Sequence, residues 1–311
     1  MENPFLSIIL CTYNGALYLR EQLASLLCQS YSNFEIIAID DCSTDSTFDI
    51  LKEYAQNGKL KAYRNDKNKG VNFNFQSAIE KATGDYILIC DQDDIWELNK
   101  LEVMVNSING SLLYYHDSAF IDAEGRSLSR KLSEKYKMFS NPHPLSFVPQ
   151  NSVTGHTCMF DRKLQNFSIF PFPENIYYDN WLGYIAAIHG QVCFIDKCLV
   201  KYRIHGKNMT ASKKKNRKLN DEIMASLYNQ MNSFYEFAPE SSKYKIFLQK
   251  IRDTYKARTL KSDVYRAFLF LLEFRKLTAF RKKNTLRKLS YCIKMSYKPL
   301  PNLFLHSPQS D

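Results

Sequence analysis

None of the eight cysteines, at positions 11, 28, 42, 90, 158, 193, 198 and 292, forms a Cys-x-x-Cys pair, and several lie inside apolar runs. That spacing excludes a zinc ribbon and argues against a disulfide framework. The thiols read as small buried hydrophobes in a reducing compartment. No window approaches the ~18 uninterrupted apolar residues of a membrane span; the best, residues 267–272, is far too short. A secretory signal is not expected, because the apolar run at residues 6–11 is short and lacks a basic flank before it. The loop at residues 11–15 carries no Gly-rich, basic sequence of the kind that cradles a triphosphate. Together these absences predict a cytoplasmic protein.

The 311 residues suffice for one large domain with an appended piece, and apolar content of 45% is that of an ordinary folded chain. Charge is divided unevenly: residues 1–210 carry a net −4 and residues 211–311 a net +14. The predicted boundary lies near the run Lys213-Lys214-Lys215-Asn216-Arg217-Lys218, which separates a region 1–210 from a basic, mainly helical region 211–311.

Along the first hundred residues, strand-like and helix-like segments alternate. Ser7-Ile8-Ile9-Leu10-Cys11 is followed by a helical spacing of Leu19, Leu23, Leu26 and Leu27. Residues 34–39 form a second apolar run, and Phe48, Ile50, Leu51 and Tyr54 the next helical pattern. Ala62 and Tyr63 fit a short strand, residues 73–82 a helix, and Tyr86-Ile87-Leu88-Ile89-Cys90 another buried strand. Such alternation with near-continuous apolar strands predicts an α/β fold with a mainly parallel sheet covered by helices on both faces. Ligands of these sheets bind beyond the carboxyl ends of the strands, where Thr12-Tyr13-Asn14, Asp40-Asp41 and residues 91–94 lie. Further on, residues 112–115, 119–121, 155–160 and 192–195 read as strands, residues 129–150 as a mobile loop, and residues 180–189 as an amphipathic helix.

Asp91-Gln92-Asp93-Asp94 places three carboxylates within four residues at the tip of a buried strand. Two readings explain how that repulsion is tolerated. The acids cap a helix begun by Ile95-Trp96, where negative charge meets the helix dipole. Alternatively they hold Mg²⁺ or Mn²⁺, hard ions that bridge carboxylates to a substrate's phosphates.

Four segments in this order resemble glycosyltransferase family 2, inverting enzymes with the GT-A fold: residues 7–15, residues 39–45, Asn68-Lys69-Gly70, and residues 84–96. The resemblance covers residues 6 to about 208. The strings Asp91-Gln92-Asp93-Asp94-Ile95-Trp96, Asn151-Ser152-Val153-Thr154-Gly155 and Tyr202-Arg203-Ile204-His205-Gly206-Lys207-Asn208 are similar to members that act as rhamnosyltransferases.

The resemblance implies a role for each matching residue. Thr12, Tyr13 and Asn14 would lie along the donor nucleotide, with Tyr13 over the nucleobase and Asp41 accepting from the base imino group. Lys69 would meet the base or diphosphate, Asp91 the ribose or the metal's waters, and Asp93 the metal itself. Asp94 would steer the sugar or cap a helix. His205 would sit near metal or diphosphate, with Arg203 and Lys207 as further phosphate candidates. Asp179 matches the catalytic base, which takes the proton from an acceptor hydroxyl. The other histidines, His116, His143, His156 and His189, have no assigned role.

The implied activity is metal-dependent, inverting transfer of a sugar from a dTDP- or UDP-linked donor, with L-rhamnose the candidate. The implied acceptor is a lipid-linked glycan in bacterial surface polysaccharide synthesis, such as capsule or lipopolysaccharide. The basic region 211–311 suggests peripheral contact at the inner face of the cell membrane through residues 281–283 and Arg287-Lys288; it carries no nucleic-acid motif. Two rivals remain: a degenerate transferase acting as a membrane scaffold, and a nucleotidyltransferase.

Overall fold

The computed structural model describes residues 3–206, 220–257 and 259–297. Lys207, Asn208, the 213–218 run and the domain boundary expected there lie outside the described residues.

The first half alternates as β1 (Leu6–Thr12), α1 (Ala16–Leu27), β2 (Phe34–Asp40), α2 (Thr47–Gln56), β3 (Lys61–Arg64), α3 (Val71–Lys81) and β4 (Tyr86–Cys90). β5 (Ile95–Trp96), α4 (Lys100–Asn106), β6 (Leu113–Ile121), β7 (Ser127–Lys131), α5 (Leu132–Lys135), β8 (Cys158–Asp161), α6 (Tyr178–His189) and β9 (Val192–Arg203) follow. Five further helices are α7 (Asn220–Phe237), α8 (Lys243–Ala257), α9 (Leu260–Leu272), α10 (Phe274–Leu277) and α11 (Thr285–Tyr297).

The strands form one mixed sheet in the order β3-β2-β1-β4-β8-β6-β9-β5, with β7 paired to β6. β1, β2, β3 and β4 run parallel, as do β6 and β9; β8 is antiparallel to both β4 and β6. Both faces are covered. Ile8 and Leu10 point into a core with Leu19, Leu23, Ile50 and Met104, and Ile9 into the opposite core with Phe75, Trp181 and Phe234. Burial on both sides explains why the strands read as unbroken apolar runs.

The C-terminal helices belong to that second core. Trp181 and Tyr184 of α6 are fully buried against Phe234 of α7, and Trp181 meets Phe237 edge-on at 4.8 Å between centroids. Each such side chain contributes about 1.5–3 kcal/mol, so this contact anchors the appended helices firmly to the sheet.

Four local expectations change. Residues 129–150 are a packed layer, not a mobile loop. Leu145, Phe147 and Val148 are buried, Phe147 and Phe139 pack on Phe280, and Lys137 N donates to the Phe280 carbonyl at 2.8 Å. Ile95 and Trp96 pair with Lys201 and Val200 as a short strand, not a helix start. Residues 113–121 are one strand, not two, and β9 runs twelve residues, on to Arg203. Two of the basic side chains expected at a membrane turn elsewhere. Arg281 stacks on Tyr291 at 3.7 Å and donates to Gln150, and Lys288 is partly buried.

Candidate active site

The strand order reverses at β1, which lies between β2 and β4, so the loops after β1 and β4 flank the crevice where such sheets take ligands. Gln92 joins those loops. Its Oε1 accepts from Tyr13 N at 2.9 Å, and its Nε2 donates to the Tyr13 carbonyl at 3.1 Å. Gly15 makes room for this clasp, since a Cβ there would lie 2.1 Å from Gln92 Oε1. Gly15→Ala is therefore expected to displace Gln92 and free the Tyr13 backbone. Nucleotide affinity should fall about tenfold, 1.4 kcal/mol, and Gln92→Ala should match it in a titration.

A second clasp ties the β1 and β2 loops. Asn14 and Cys42 hold positive φ angles of 48° and 62°, sparsely populated values that the surrounding bonds enforce. Asn14 Oδ1 accepts from Thr44 N at 2.8 Å, while Asn14 N donates to Ser43 Oγ. Thr12 is buried and donates to Asp40 at 3.1 Å, bracing the loop from within. Asp40 also accepts from Ser43 and lies 3.4 Å from Arg64. Tyr13, in contrast, is 39% exposed at the crevice.

Asp41 is buried and organises the turn before α3. Oδ1 accepts from Asn65 Nδ2 and Lys69 N, and Oδ2 from Gly70 N at 2.9 Å. Gly70 sits at φ 84°, a conformation that favours glycine. Asp41 Oδ2 keeps acceptor capacity for a further N–H. The Lys69 ammonium lies 3.1 Å from Asp66 and over the Phe73 ring at 4.9 Å.

At the tip of β4 the acids separate by role. Asp91, Asp94 and His156 each bring a ligand atom within 4.8 Å of the others. Asp94 is fully buried. Its Oδ1 accepts from Arg203 N at 3.0 Å, and its Oδ2 has no hydrogen-bond partner among the described residues. Asp94 is thus no helix cap, as α4 begins only at Lys100. Asp93 faces His205, whose Nε2 is 2.8 Å from Asp93 Oδ2 and whose ring meets Tyr18 at 4.9 Å.

Burial pushes Asp91 up to about 7, helped by the Asp93 and Asp179 charges, and drives Asp94 well above the carboxylate range. Burial also lowers His156 to about 3, so its imidazole is neutral, held by Ser118 at 3.2 Å and stacked on Tyr202. Crowded carboxylates, an orphaned buried oxygen and a neutral imidazole together fit a divalent ion of the Mg²⁺ or Mn²⁺ type.

Beneath this cluster lies Lys100, fully buried, donating to the His156 carbonyl at 2.8 Å and sitting 3.5 Å above the Trp96 ring. Burial lowers its pKa to about 7, against the pull of Asp94 and Asp91. Arg203 is equally buried. It donates to the Asp93, Asp122 and Ala123 carbonyls and pairs with Glu21, so its guanidinium is committed to the fold and not to phosphate.

Asp179 enters from α6, on the other side of the cleft. Its Oδ2 accepts from Gly155 N at 3.1 Å and its Oδ1 from Asn180 N at 2.7 Å. Burial raises it to about 6, although these bonds and one from Asn151 favour the charged form. Its neighbour Tyr178 is a core residue packed on Phe75 at 4.0 Å. Asp91 and Asp179 hold protons more tightly folded than unfolded, where a carboxyl titrates at about 4, so each lowers stability as pH rises, Asp179 up to about 6 and Asp91 up to about 7. The buried neutral His116 and His156 act in the opposite sense. The carboxylate share is isolated by comparing Tm against pH for the wild type and Asp91→Asn. The variant should gain relative stability as pH rises, and saturating Mn²⁺ should remove that gain.

Thus Thr12, Tyr13, Asn14, Asp41, Asp91, Asp93, Asp179 and His205 line or brace one cleft at the carboxyl ends of the strands. His156 and Lys100 carried no assigned role in the sequence. The one signal for His156 was its position directly after the Asn151–Gly155 string, and for Lys100 there was none.

The doubly covered mixed sheet, with acids at its switch point, matches the GT-A fold of solved transferase structures. The S. aureus TarS 1–349 structure in complex with UDP-GlcNAc aligns with TM-score 0.62 over 94% of this chain and 89% of that one, at 17% identity. The mannosyltransferase PcManGT from Pyrobaculum calidifontis, in complex with GDP-Man and Mn²⁺, gives 0.54 over 97% and 78%, at 15% identity. The family model for glycosyl transferase family 2 matches residues 7–166, and the chain belongs to that family. A relative over most of both lengths is the Escherichia coli UDP-Glc:alpha-D-GlcNAc-diphosphoundecaprenol beta-1,3-glucosyltransferase WfgD, 26% identical over 72% of this chain and 87% of that protein. The chain spans 55% and 66% of the length of two further curated glycosyltransferase relatives.

Proposed function

We propose that this protein is an inverting, metal-dependent glycosyltransferase of bacterial surface polysaccharide synthesis. In this reading it moves a sugar from a nucleoside diphosphate to a hydroxyl of a lipid-linked glycan. The observation that carries it is that carboxylates from two separate segments meet at residues 155–156, where Asp179 accepts from Gly155 N and His156 stands with Asp91 and Asp94. Asp179 on α6 lies near enough to the β4 acids for its charge to raise Asp91. One-step inversion needs that division, with a base on the acceptor side and an anion-stabilising centre on the donor side.

The acceptor hydroxyl donates its proton to Asp179 as its oxygen attacks the anomeric carbon, and the bond to the diphosphate oxygen breaks on the opposite face. A pKa near 6 leaves Asp179 ionised at neutral pH yet basic enough to take the proton. Asp91 and Asp93, with Asp94, His156 and His205 around them, would hold the ion. Once bound, the ion neutralises charge on the departing diphosphate. Tyr13 would stack on the base, Asp41 accept from its imino group, and Lys69 exchange Asp66 for a donor phosphate. The region 1–210 carries this chemistry, and 211–311 is a supporting helical region.

The names of WfgD and of TarS with UDP-GlcNAc favour a UDP-linked donor and, for WfgD, an acceptor on a diphospho-polyprenol. The rhamnosyltransferase-like strings favour dTDP-L-rhamnose. Thermal shift with UDP, dTDP and GDP, each with and without Mn²⁺, decides between them. Saturation to about 100 times Kd adds roughly 2.7 kcal/mol, so one nucleotide should raise Tm by several degrees in the presence of metal. Asp93→Ala should abolish the metal-dependent part. A flat response to all three nucleotides from folded protein would overturn the reading in favour of a degenerate scaffold.

A further inference from the structure

An amphipathic helix that packs on a core shows apolar residues inward and polar residues outward. α9 departs from this pattern, with polar groups among its buried residues and apolar ones on its exposed side. Ser262, Arg266, Leu269 and Phe270 face inward, where Arg266 donates to Thr254 of α8 and to the Ser296 carbonyl of α11. At 3.6 residues per turn, Leu260, Val264, Phe268 and Leu272 form a slanting stripe on the side away from that core. All four are exposed, at 80%, 63%, 54% and 62%, with Tyr265 beside them at 43%. Of the outward positions only Lys261 is charged. Neighbouring α11 repeats the pattern on a smaller scale, with Leu286 and Ile293 exposed next to Arg287 and Lys294.

Such a stripe needs a cover, and charge selects which one. Residues 211–311 carry a net +14, and Lys261, Arg275, Lys282, Lys283, Arg287 and Lys294 are exposed on α9, α11 and the segment between them. A second copy of this chain would bring the same positive region against itself. A neutral apolar partner would leave the cations uncompensated. An anionic lipid leaflet supplies both what the stripe lacks and what the cations attract: acyl chains at headgroup depth and negative phosphates around them.

We infer that the outward face of α9 inserts into the interface of an anionic membrane, with the exposed lysines and arginines of residues 261–294 on the surrounding lipid phosphates. Among the described residues no helix is long and apolar enough to cross a membrane, so this contact lies in the plane of the surface. It involves none of the cleft residues and stands whether or not the transfer reaction is as proposed.

The test is co-sedimentation of the full chain with vesicles of phosphatidylglycerol and phosphatidylcholine in equal parts, and with vesicles of phosphatidylcholine alone. Binding is expected with the first and not the second, and should weaken steeply with salt. Val264→Ser combined with Phe268→Ser should reduce binding roughly tenfold, and Lys282→Gln with Lys283→Gln should reduce it at low salt. Both variants should keep the wild-type Tm and nucleotide-induced shift, because every altered side chain is exposed. Absence of binding to the anionic vesicles by wild-type protein overturns the inference. So does binding that persists undiminished in the Val264/Phe268 variant, or a dimer in sedimentation velocity that this variant disrupts.

Discussion

Asp179→Asn should reduce sugar transfer about a thousandfold, within the range of losing a general base, while leaving the metal-dependent nucleotide shift unchanged. The amide preserves shape and its oxygen can still accept from one of Gly155 N and Asn180 N, while its NH2 group loses the other bond, so a modest fall in Tm is expected without loss of the fold. What disappears is the oxygen that, in the proposed mechanism, would receive the acceptor's proton. The same group sets the acid limb of the wild-type profile. Burial raises Asp179 to about 6, so kcat/KM should fall as pH drops through that value, and the limb should vanish from the variant's residual rate. Loss of nucleotide binding in Asp179→Asn would instead assign the residue to the donor.

Lys100→Met should destabilise the protein by about 2 kcal/mol, within the range for leaving a buried acceptor without its donor. Methionine fills similar volume, so little of the loss comes from packing. It removes the cation beneath Asp91 and Asp94 and strands the His156 carbonyl. The Asp94→Asn/Lys100→Met double variant should lose less than the sum of the single variants, because the two side chains act on each other electrostatically. Saturating Mn²⁺ should recover more stability in Lys100→Met than in wild type, since the ion takes over as countercharge. Both effects are read from urea midpoints at fixed pH.

The half of the fold that positions the donor was legible because β1, β2 and β4 are buried on both faces and contain little except apolar residues. Their polar loops then stand out. β6 was read as two short strands because its middle is polar: His116, Asp117 and Ser118 are all buried, held by hydrogen bonds that no periodicity reveals, although His116 Nε2 has no hydrogen-bond partner among the described residues. Residues 129–150 read as a loop because Leu145, Phe147 and Val148 are separated from other apolar residues by Pro and polar positions. Their burial depends on Phe280, more than a hundred residues away in sequence. At the site, the acid string and Asp179 stood out as local patterns. Lys100 did not, because a lysine at the start of a helix looks solvated until the structure shows what lies above it.

Arg203 ends the last strand of the sheet, 110 residues after Asp93 and 182 after Glu21, yet it binds both. A chain made from its N-terminus therefore presents the acid loop long before the side chain that pins it emerges from the ribosome. Products cut short before β9 would carry every carboxylate on β4 and still have no anchored loop to hold a nucleotide. The anchoring of the acid loop thus comes late in synthesis, with the last strand of the sheet to be made.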